Sequence, residues 1–212
     1  MKQYDVILFD WDGCMAKTLD IWLDAYHKTF AEYDKVLEDR VITQQVFGKW
    51  DGPTKFGITN IDEYNKKLFS RLNEQYPTVT LYDNVKQVVS QLKKNGKKLA
   101  MVTTTDKKTV MPALQFNQLD QYFDIILTAE DVSKHKPDPE IVLKAIDMLR
   151  GKNETSIIIG DSKSDLGAAK SAEIDSILYY PEHNELFYDL DTLMEYEPTY
   201  VIRDFKEILD LL

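Results

Sequence analysis

A chain of 212 residues, 43% hydrophobic and 29% charged, is long enough for one good-sized domain or for a domain carrying an insertion. Its formal net charge of −10 argues against nucleic acid or an anionic membrane as the main partner, since neither is drawn to an acidic surface, although a local cation can reverse the sign inside a pocket. The single cysteine, Cys14, can form no internal disulfide and suits a reducing, cytoplasmic setting, and no stretch approaches the roughly 18 apolar residues of a membrane span.

Residues 4–9 are a short run of β-formers that ends in Asp10-Trp11-Asp12-Gly13. The run is too short for a helix and unbroken enough for a buried parallel strand. Residues 19–33 then place Leu19, Trp22, Leu23, Tyr26, Phe30 and Tyr33 at helical spacing. Residues 41–58 contain Gly48, Gly52, Pro53 and Gly57 and read as short helices and turns. A second amphipathic helix spans 61–76, with Tyr64, Leu68, Phe69 and Leu72 as its stripe and Pro77 as its stop. Between Met15 and about Tyr82 no convincing strand appears.

Beyond that block, strand and helix alternate. A helix is predicted at 85–92 and a strand at 98–102, which ends in Thr103-Thr104-Thr105. A helix capped by Asp106 runs to Phe116, and a strand follows at 123–127. The loop His135-Lys136-Pro137-Asp138-Pro139-Glu140 opens a helix to Leu149, with Pro139 as its first residue. Strands at 155–160, 176–179 and 200–202 and helices at 166–172 and 205–212 complete the chain. Such alternation predicts a parallel sheet with helices on both faces. The helical block predicts a small second domain inserted after the first strand: an α/β core of 1–14 and 83–212, and a helical cap of 15–82.

Four polar clusters fall at strand ends or in the loops beside them: Asp10 with Asp12, Thr103, Lys136, and Asp161 with Asp165. In a parallel sheet these ends share the side where ligands bind. Adjacent carboxylates repel unless a cation, or a division into acid and base, relieves them. Several carboxylate oxygens suit Mg2+, which takes hard oxygen ligands at about 2.0–2.1 Å. A lysine and a hydroxyl beside backbone amides suit a phosphoryl group. Each cluster alone also fits a capped helix start or a turn; all four in order are hard to obtain by chance. His27, His135 and His183 show no metal-ligand spacing and are expected at the surface or in packing.

Phe9-Asp10-Trp11-Asp12-Gly13, Met101-Val102-Thr103-Thr104, Lys136-Pro137-Asp138-Pro139-Glu140 and Ile159-Gly160-Asp161-Ser162-Lys163-Ser164-Asp165 carry a resemblance. Over nearly its whole length the chain resembles the haloacid dehalogenase superfamily of phosphohydrolases, in the branch of phosphoglycolate phosphatase and β-phosphoglucomutase. The resemblance implies a Rossmann-like parallel-sheet core with a helical cap, and a Mg2+-dependent phosphatase acting on a small phosphorylated metabolite. It implies Asp10 as nucleophile and Asp12 as the acid and base that moves protons. Mg2+ would be held by Asp10, the backbone carbonyl of Asp12 and Asp161, with Asp165 near it. Thr103 and the amides near Thr104 would hold phosphoryl oxygens, and Lys136 would neutralise developing charge. A monomer or weak homodimer is expected.

Where the family usually has threonine after the glycine, this chain has Cys14, and Lys17-Thr18 replace an acid and a serine. These positions bear on cap motion and substrate contacts more than on the chemistry. Cys14 is expected to be a small packed residue. A β-phosphoglucomutase-like mutase stays open as an alternative, but it would need a histidine near Trp22, and the nearest, His27, is over a turn away. A dehalogenase would leave Asp12 without a task, and a phosphonate hydrolase would need a cap lysine, for which Lys49 is the candidate. A non-catalytic interaction module should have lost some of these acids. For substrate contacts, Phe47-Gly48-Lys49-Trp50-Asp51-Gly52-Pro53 is the candidate loop, with Lys49 supplying charge and Trp50 a stacking face.

Overall fold

The first strand, β1 (Val6–Phe9), is buried along its whole length, and its alternation sorts the core. Val6 and Leu8 face one hydrophobic layer and Ile7 and Phe9 the other, as the two-residue period of a strand requires. The computed structural model describes residues 2–212. Its sheet has strand order β3-β2-β1-β4-β5-β6, all parallel, with β2 (Lys98–Val102), β3 (Ile125–Leu127), β4 (Ser156–Gly160), β5 (Asp175–Tyr179) and β6 (Tyr200–Ile202).

The Val6/Leu8 face packs with α6 (Glu140–Met148) and α7 (Lys163–Ser171), through Ile141, Val142, Ala145, Ile146, Ala168 and Ala169. The Ile7/Phe9 face packs with α4 (Val85–Lys94) and α5 (Lys107–Phe116) and with Phe205 and Ile208 near the end of the chain. The expected three-layer architecture is therefore present.

Between β1 and α4 lie α1 (Thr18–Ala31), α2 (Asp39–Gln45) and α3 (Ile61–Gln75). They bury a separate cluster that includes Ala25, Phe30, Ile42, Val46, Tyr64 and Leu68. Phe30 sits at its centre, 5.1 Å from the Tyr64 ring and 5.7 Å from the Phe56 ring, centroid to centroid. Two linkers join these helices to the sheet and pair with each other: Lys17 N–H donates to the Thr80 carbonyl at 2.9 Å and Tyr82 N–H to the Met15 carbonyl at 3.0 Å. Met15, Ala16, Tyr76, Val79 and Tyr82, at the two ends of the block, pack into the sheet's cluster rather than the helical one.

Several boundaries differ from the sequence expectation. The 138–149 helix begins at Glu140, with Pro139 in the cap position, because the Asp138 carboxylate takes the Glu140 N–H at 3.1 Å. The helix after β4 begins at Lys163, not 166, since Ser162 and Asp165 cap each other's backbone amides. A tight turn at Glu182–Leu186 and a short helix α8 (Leu190–Met194) occupy a stretch for which no element was expected. The closing segment is a tight turn, Phe205–Glu207, followed by α9 (Ile208–Leu211).

Phe30→Ala is expected to cost about 3–5 kcal/mol, the usual range for truncating a buried phenylalanine, read as a fall in the urea midpoint at unchanged slope. A loss below about 1 kcal/mol would mean that this aromatic cluster does not hold the three helices together.

Candidate active site

In the strand order, β1 is flanked by β2, the next strand in sequence, and by β4, so the chain's direction of winding reverses between β1 and β4. That is the crevice where open α/β sheets bind ligands. Asp10, Thr103 and Asp161 each stand one residue past the end of their strand, at β1, β2 and β4. The Asp10 N–H donates to the Ile159 carbonyl at 2.9 Å and the Thr103 N–H to the Leu127 carbonyl at 3.1 Å. The sheet ladder thus fixes both positions beyond the strands themselves.

Lys136 is the only base inside this crevice among the described residues, with its side chain 2% exposed. Its ammonium donates to Asp10 Oδ1 at 2.5 Å, Asp165 Oδ1 at 2.6 Å and the Val102 carbonyl at 3.0 Å. Burial alone would lower its pKa; Asp10 and Asp165 outweigh that and raise it. Asp165 is further held by the Ser162 hydroxyl at 2.6 Å and the Ser162 N–H at 3.2 Å.

Asp161 has no such partners. Both its carboxylate oxygens are buried and make no well-formed hydrogen bond; the nearest hydroxyl is that of Tyr188, which faces these acids and is close enough to Asp161 to interact with it. Burial, then the charges of Asp165 and Asp10, push its pKa well above the ordinary carboxylate range. For Asp10, burial, then the charges of Asp165 and, less, Asp12, opposed by Lys136, push the pKa up to about 8. Asp10, Asp161 and Asp165 offer carboxylate oxygens that all lie within 4.8 Å of one another. Three buried carboxylates against one ammonium, one of them without a well-formed hydrogen bond, form an oxygen-rich set able to hold a hard cation. Gly13 makes room for that set: with φ +75°, a Cβ there would lie 2.2 Å from Asp161 Oδ2.

Asp12 points elsewhere. Its carboxylate takes the Tyr76 hydroxyl at 2.6 Å and the Thr105 hydroxyl at 2.7 Å, with Thr103 Oγ1 at 3.4 Å. It is absent from the carboxylate cluster, so any contribution to a metal must come from its backbone. It lines instead a cleft of about 420 Å³. The core side of this cleft includes Thr104, Thr105 and Asp106, and the helical side Trp22, Phe69, Leu72, Asn73 and Tyr76. A cavity of about 470 Å³ near Lys17, Asp20 and Tyr82 touches none of the acids at the strand ends.

Lys49 and Trp50 are not in the lining of the cleft. The Lys49 ammonium donates to the carbonyl of Gln44 at 2.6 Å. Trp50 is 61% exposed and rests on Phe69, 6.3 Å between centroids. Phe69 and Trp22, read from the sequence only as members of apolar stripes, occupy the place expected for Trp50. Tyr76 and Thr105 were visible as the residue before the helix-stopping proline and the last of three threonines, but nothing in the sequence aimed them at Asp12. Nor did anything single out Asn184, which is buried, donates to the Gly13 carbonyl at 3.2 Å and accepts the Tyr82 hydroxyl at 2.9 Å.

Cys14 is buried, with its thiol directed at the Ile159 carbonyl at 3.6 Å. Burial, then the charges of Asp10, Asp161 and Asp165, push its pKa well up, so the thiol stays protonated and packs. Thr18 is buried too and accepts the Gly13 N–H at 3.0 Å, while Lys17 lies 3.8 Å from the exposed Asp83. His27 pairs with Asp39 at 2.7 Å on the outer surface, and no histidine lines the cleft among the described residues.

Known proteins share this fold. A pyrophosphatase, PpaX, of Halalkalibacterium halodurans is 28% identical over 99% of this chain and 97% of its own length. A solved haloacid dehalogenase family hydrolase of Deinococcus radiodurans, with phosphate and sodium bound, superposes with a TM-score of 0.87 at 18% identity, over 98% of this chain and 94% of that one. A haloacid dehalogenase-like hydrolase of Streptococcus pneumoniae superposes with a TM-score of 0.82 at 20% identity, over 100% and 99%. The family model for haloacid dehalogenase-like hydrolases matches residues 7–179, and the strand order, the buried acids at the switch point and Lys136 among them fit it: this chain belongs to the haloacid dehalogenase-like hydrolase family.

Proposed function

We propose that the protein is a Mg2+-dependent phosphatase that hydrolyses a small phosphate monoester through a covalent phosphoryl intermediate on Asp10. The observation that carries the reading is the division of the acids. Asp10, Asp161 and Asp165 form one buried cluster with Lys136, while Asp12 stands apart, held by hydroxyls at the wall of an open cleft. Attack and proton transfer thereby have separate carboxylates, as an acid–base division needs.

Lys136 binds Asp10 through Oδ1, which leaves Oδ2 to attack phosphorus in line with the ester oxygen. As the phosphorus–ester bond breaks, Asp12 gives its proton to the departing alkoxide. In the second half a water attacks the phosphorus, Asp12 takes the water's proton, and the phosphorus–Asp10 bond breaks to release phosphate. Asp12 ends each cycle as it began, and so does Asp10. Thr103 and the amides near Thr104, beside Asp12 at the end of β2, hold phosphoryl oxygens, and Lys136 keeps one positive charge next to the nucleophile throughout. Asp10, Asp161 and the Asp12 carbonyl would hold the Mg2+, with Asp165 supporting it; the ion supplies positive charge to the phosphoryl oxygens. The unpartnered Asp161 oxygens and the missing Cβ at Gly13 favour such an ion. Residues 15–82 act as a cap that shields the reaction from bulk water. Pyrophosphate is a second reading of the substrate, favoured by the name of the Halalkalibacterium relative.

Metal and pH are linked through the acids. Asp10 at about 8 and Asp161, likewise raised, mean that the metal-free folded protein binds more protons than the unfolded chain between about pH 4 and 8. Stability without metal is therefore complete at the acid end of that window and falls as pH rises through it. Mg2+ is expected to raise the melting temperature more at pH 8 than at pH 5. Asp161→Asn should abolish most of that rise and, without metal at pH 8, melt higher than wild type; a lower melting temperature for the variant would refute the account of Asp161.

Wild type with Mg2+ is expected to release phosphate from at least one member of a panel of monoesters, and Asp10→Asn to reduce that rate by at least about 10³-fold with its fold intact. Beryllium fluoride should form an adduct on Asp10. Undiminished turnover by Asp10→Asn, or an adduct elsewhere, would overturn the nucleophile assignment.

A further inference from the structure

The cleft beside Asp12 has a chemistry of its own. Its helical wall is aromatic: Trp22 and Phe69 meet edge to face, 6.0 Å between centroids and 81° between planes, with Asn73 beside them. The acids in its lining are Asp12, which carries the proton for the departing alkoxide, and the exposed Asp106, and no lysine or arginine lines it among the described residues. Asp106 is held in place, accepting both the N–H and the hydroxyl of Thr109 at 2.9 and 2.8 Å. Lys108 stands only in the adjoining outer groove. The phosphoryl end of a substrate would be served by Lys136 and the acid cluster. The far end would meet the Asp12 proton donor, the exposed Asp106 carboxylate and two aromatic rings.

We infer that the alcohol released at this site is uncharged and carries a flat apolar group that rests on Trp22 and Phe69, so that the substrate is a monoester of the aryl-bearing or nucleoside kind. This rests on the phosphatase reading above and narrows it. A leaving group with its own negative charge, such as the carboxylate of phosphoglycolate or the second phosphate of pyrophosphate, would meet the exposed Asp106 carboxylate with no lysine or arginine in the lining to compensate, a solvent-screened disadvantage rather than a gain. A flat neutral group gains instead from burial against the rings and from their preferred offset or edge contacts. A pyrophosphate substrate, the second reading above, is disfavoured on the same ground.

The test compares benzyl phosphate and uridine 5′-monophosphate, two sources of a flat group, with glycerol 3-phosphate, phosphoglycolate and inorganic pyrophosphate, all with Mg2+ at one ionic strength. At least one flat substrate is expected to exceed each of the other three at least about tenfold in kcat/KM, equivalent to about 1.4 kcal/mol, and which flat substrate leads distinguishes aryl from nucleoside. Trp22→Ala and Phe69→Leu should each shrink that preference several-fold through KM. Asn73→Lys, at an exposed position, should shift the ratio toward phosphoglycolate, a gain that misfolding cannot mimic. Binding is read separately by tryptophan fluorescence with benzylphosphonate and phosphonoacetate, the first expected to bind at least about tenfold more tightly. Tight benzylphosphonate binding with no hydrolysis of any ester would sustain the cleft's chemistry and sink the phosphatase reading. Preference for pyrophosphate or phosphoglycolate, or a phosphonoacetate affinity matching that of benzylphosphonate, would overturn the inference.

Discussion

Everything at the carboxyl edge of this sheet answers to one imbalance: three carboxylates and one ammonium, all buried, within one crevice. Charges at such range interact strongly once water is excluded, and the protein offsets only part of the repulsion. Lys136 spans Asp10 and Asp165, and Ser162 satisfies the rest of Asp165. Asp161 has no salt bridge and no well-formed hydrogen bond. A buried acid in that position costs stability, and strongly perturbed acids of this kind cluster at functional sites. The raised pKa values of Asp10 and Asp161 are the same fact in thermodynamic form.

Beyond the crevice, the architecture separates duties by layer. The sheet holds the buried acids rigidly, since Asp10 and Thr103 are registered by ladder hydrogen bonds one residue past their strands. Asp12, only two residues from Asp10, turns away because hydroxyls at Tyr76 and Thr105 claim it. Tyr76 sits at the end of α3 yet packs into the sheet's cluster, so the group that orients Asp12 is anchored to the core. The aromatic wall, Trp22 and Phe69, belongs to the helices instead. The acids at the strand ends and the aromatic wall of the cleft thus rest on different hydrophobic clusters, joined by the paired linkers and by the Asn184 contacts to Gly13 and Tyr82.

The sequence made the core legible because its signals are local. Buried strands of four or five apolar residues, each ending in a polar residue, give both the sheet and the edge where the acids gather. The helices were legible in type, with boundaries shifted wherever a side chain took over a backbone amide, as Asp138 does for Glu140 and Asp165 for Ser162. The turn and helix of 182–194 were not legible, since that stretch has neither period and is held by contacts far along the chain. Lys49 and Trp50 stand outside the cleft for a similar reason. Lys49 and Trp50 have the right chemistry, but a lysine is free to bend to its own loop carbonyl, and which face of a helix meets the cleft is a tertiary fact. Trp22 and Phe69 looked like ordinary core stripe because a cleft wall and a packed face share one periodicity.

Gly13 carries a consequence for how this chain can change over generations. Gly57 shares its positive φ but faces open space, so a side chain there meets only backbone strain of about 1–2 kcal/mol. At Gly13 the same strain is joined by collision with the Asp161 carboxylate, and every coding substitution away from glycine adds a Cβ. Position 13 therefore has no neutral neighbour in sequence space: drift can pass through Gly57 and is halted at Gly13, one turn of backbone from the acids it makes room for.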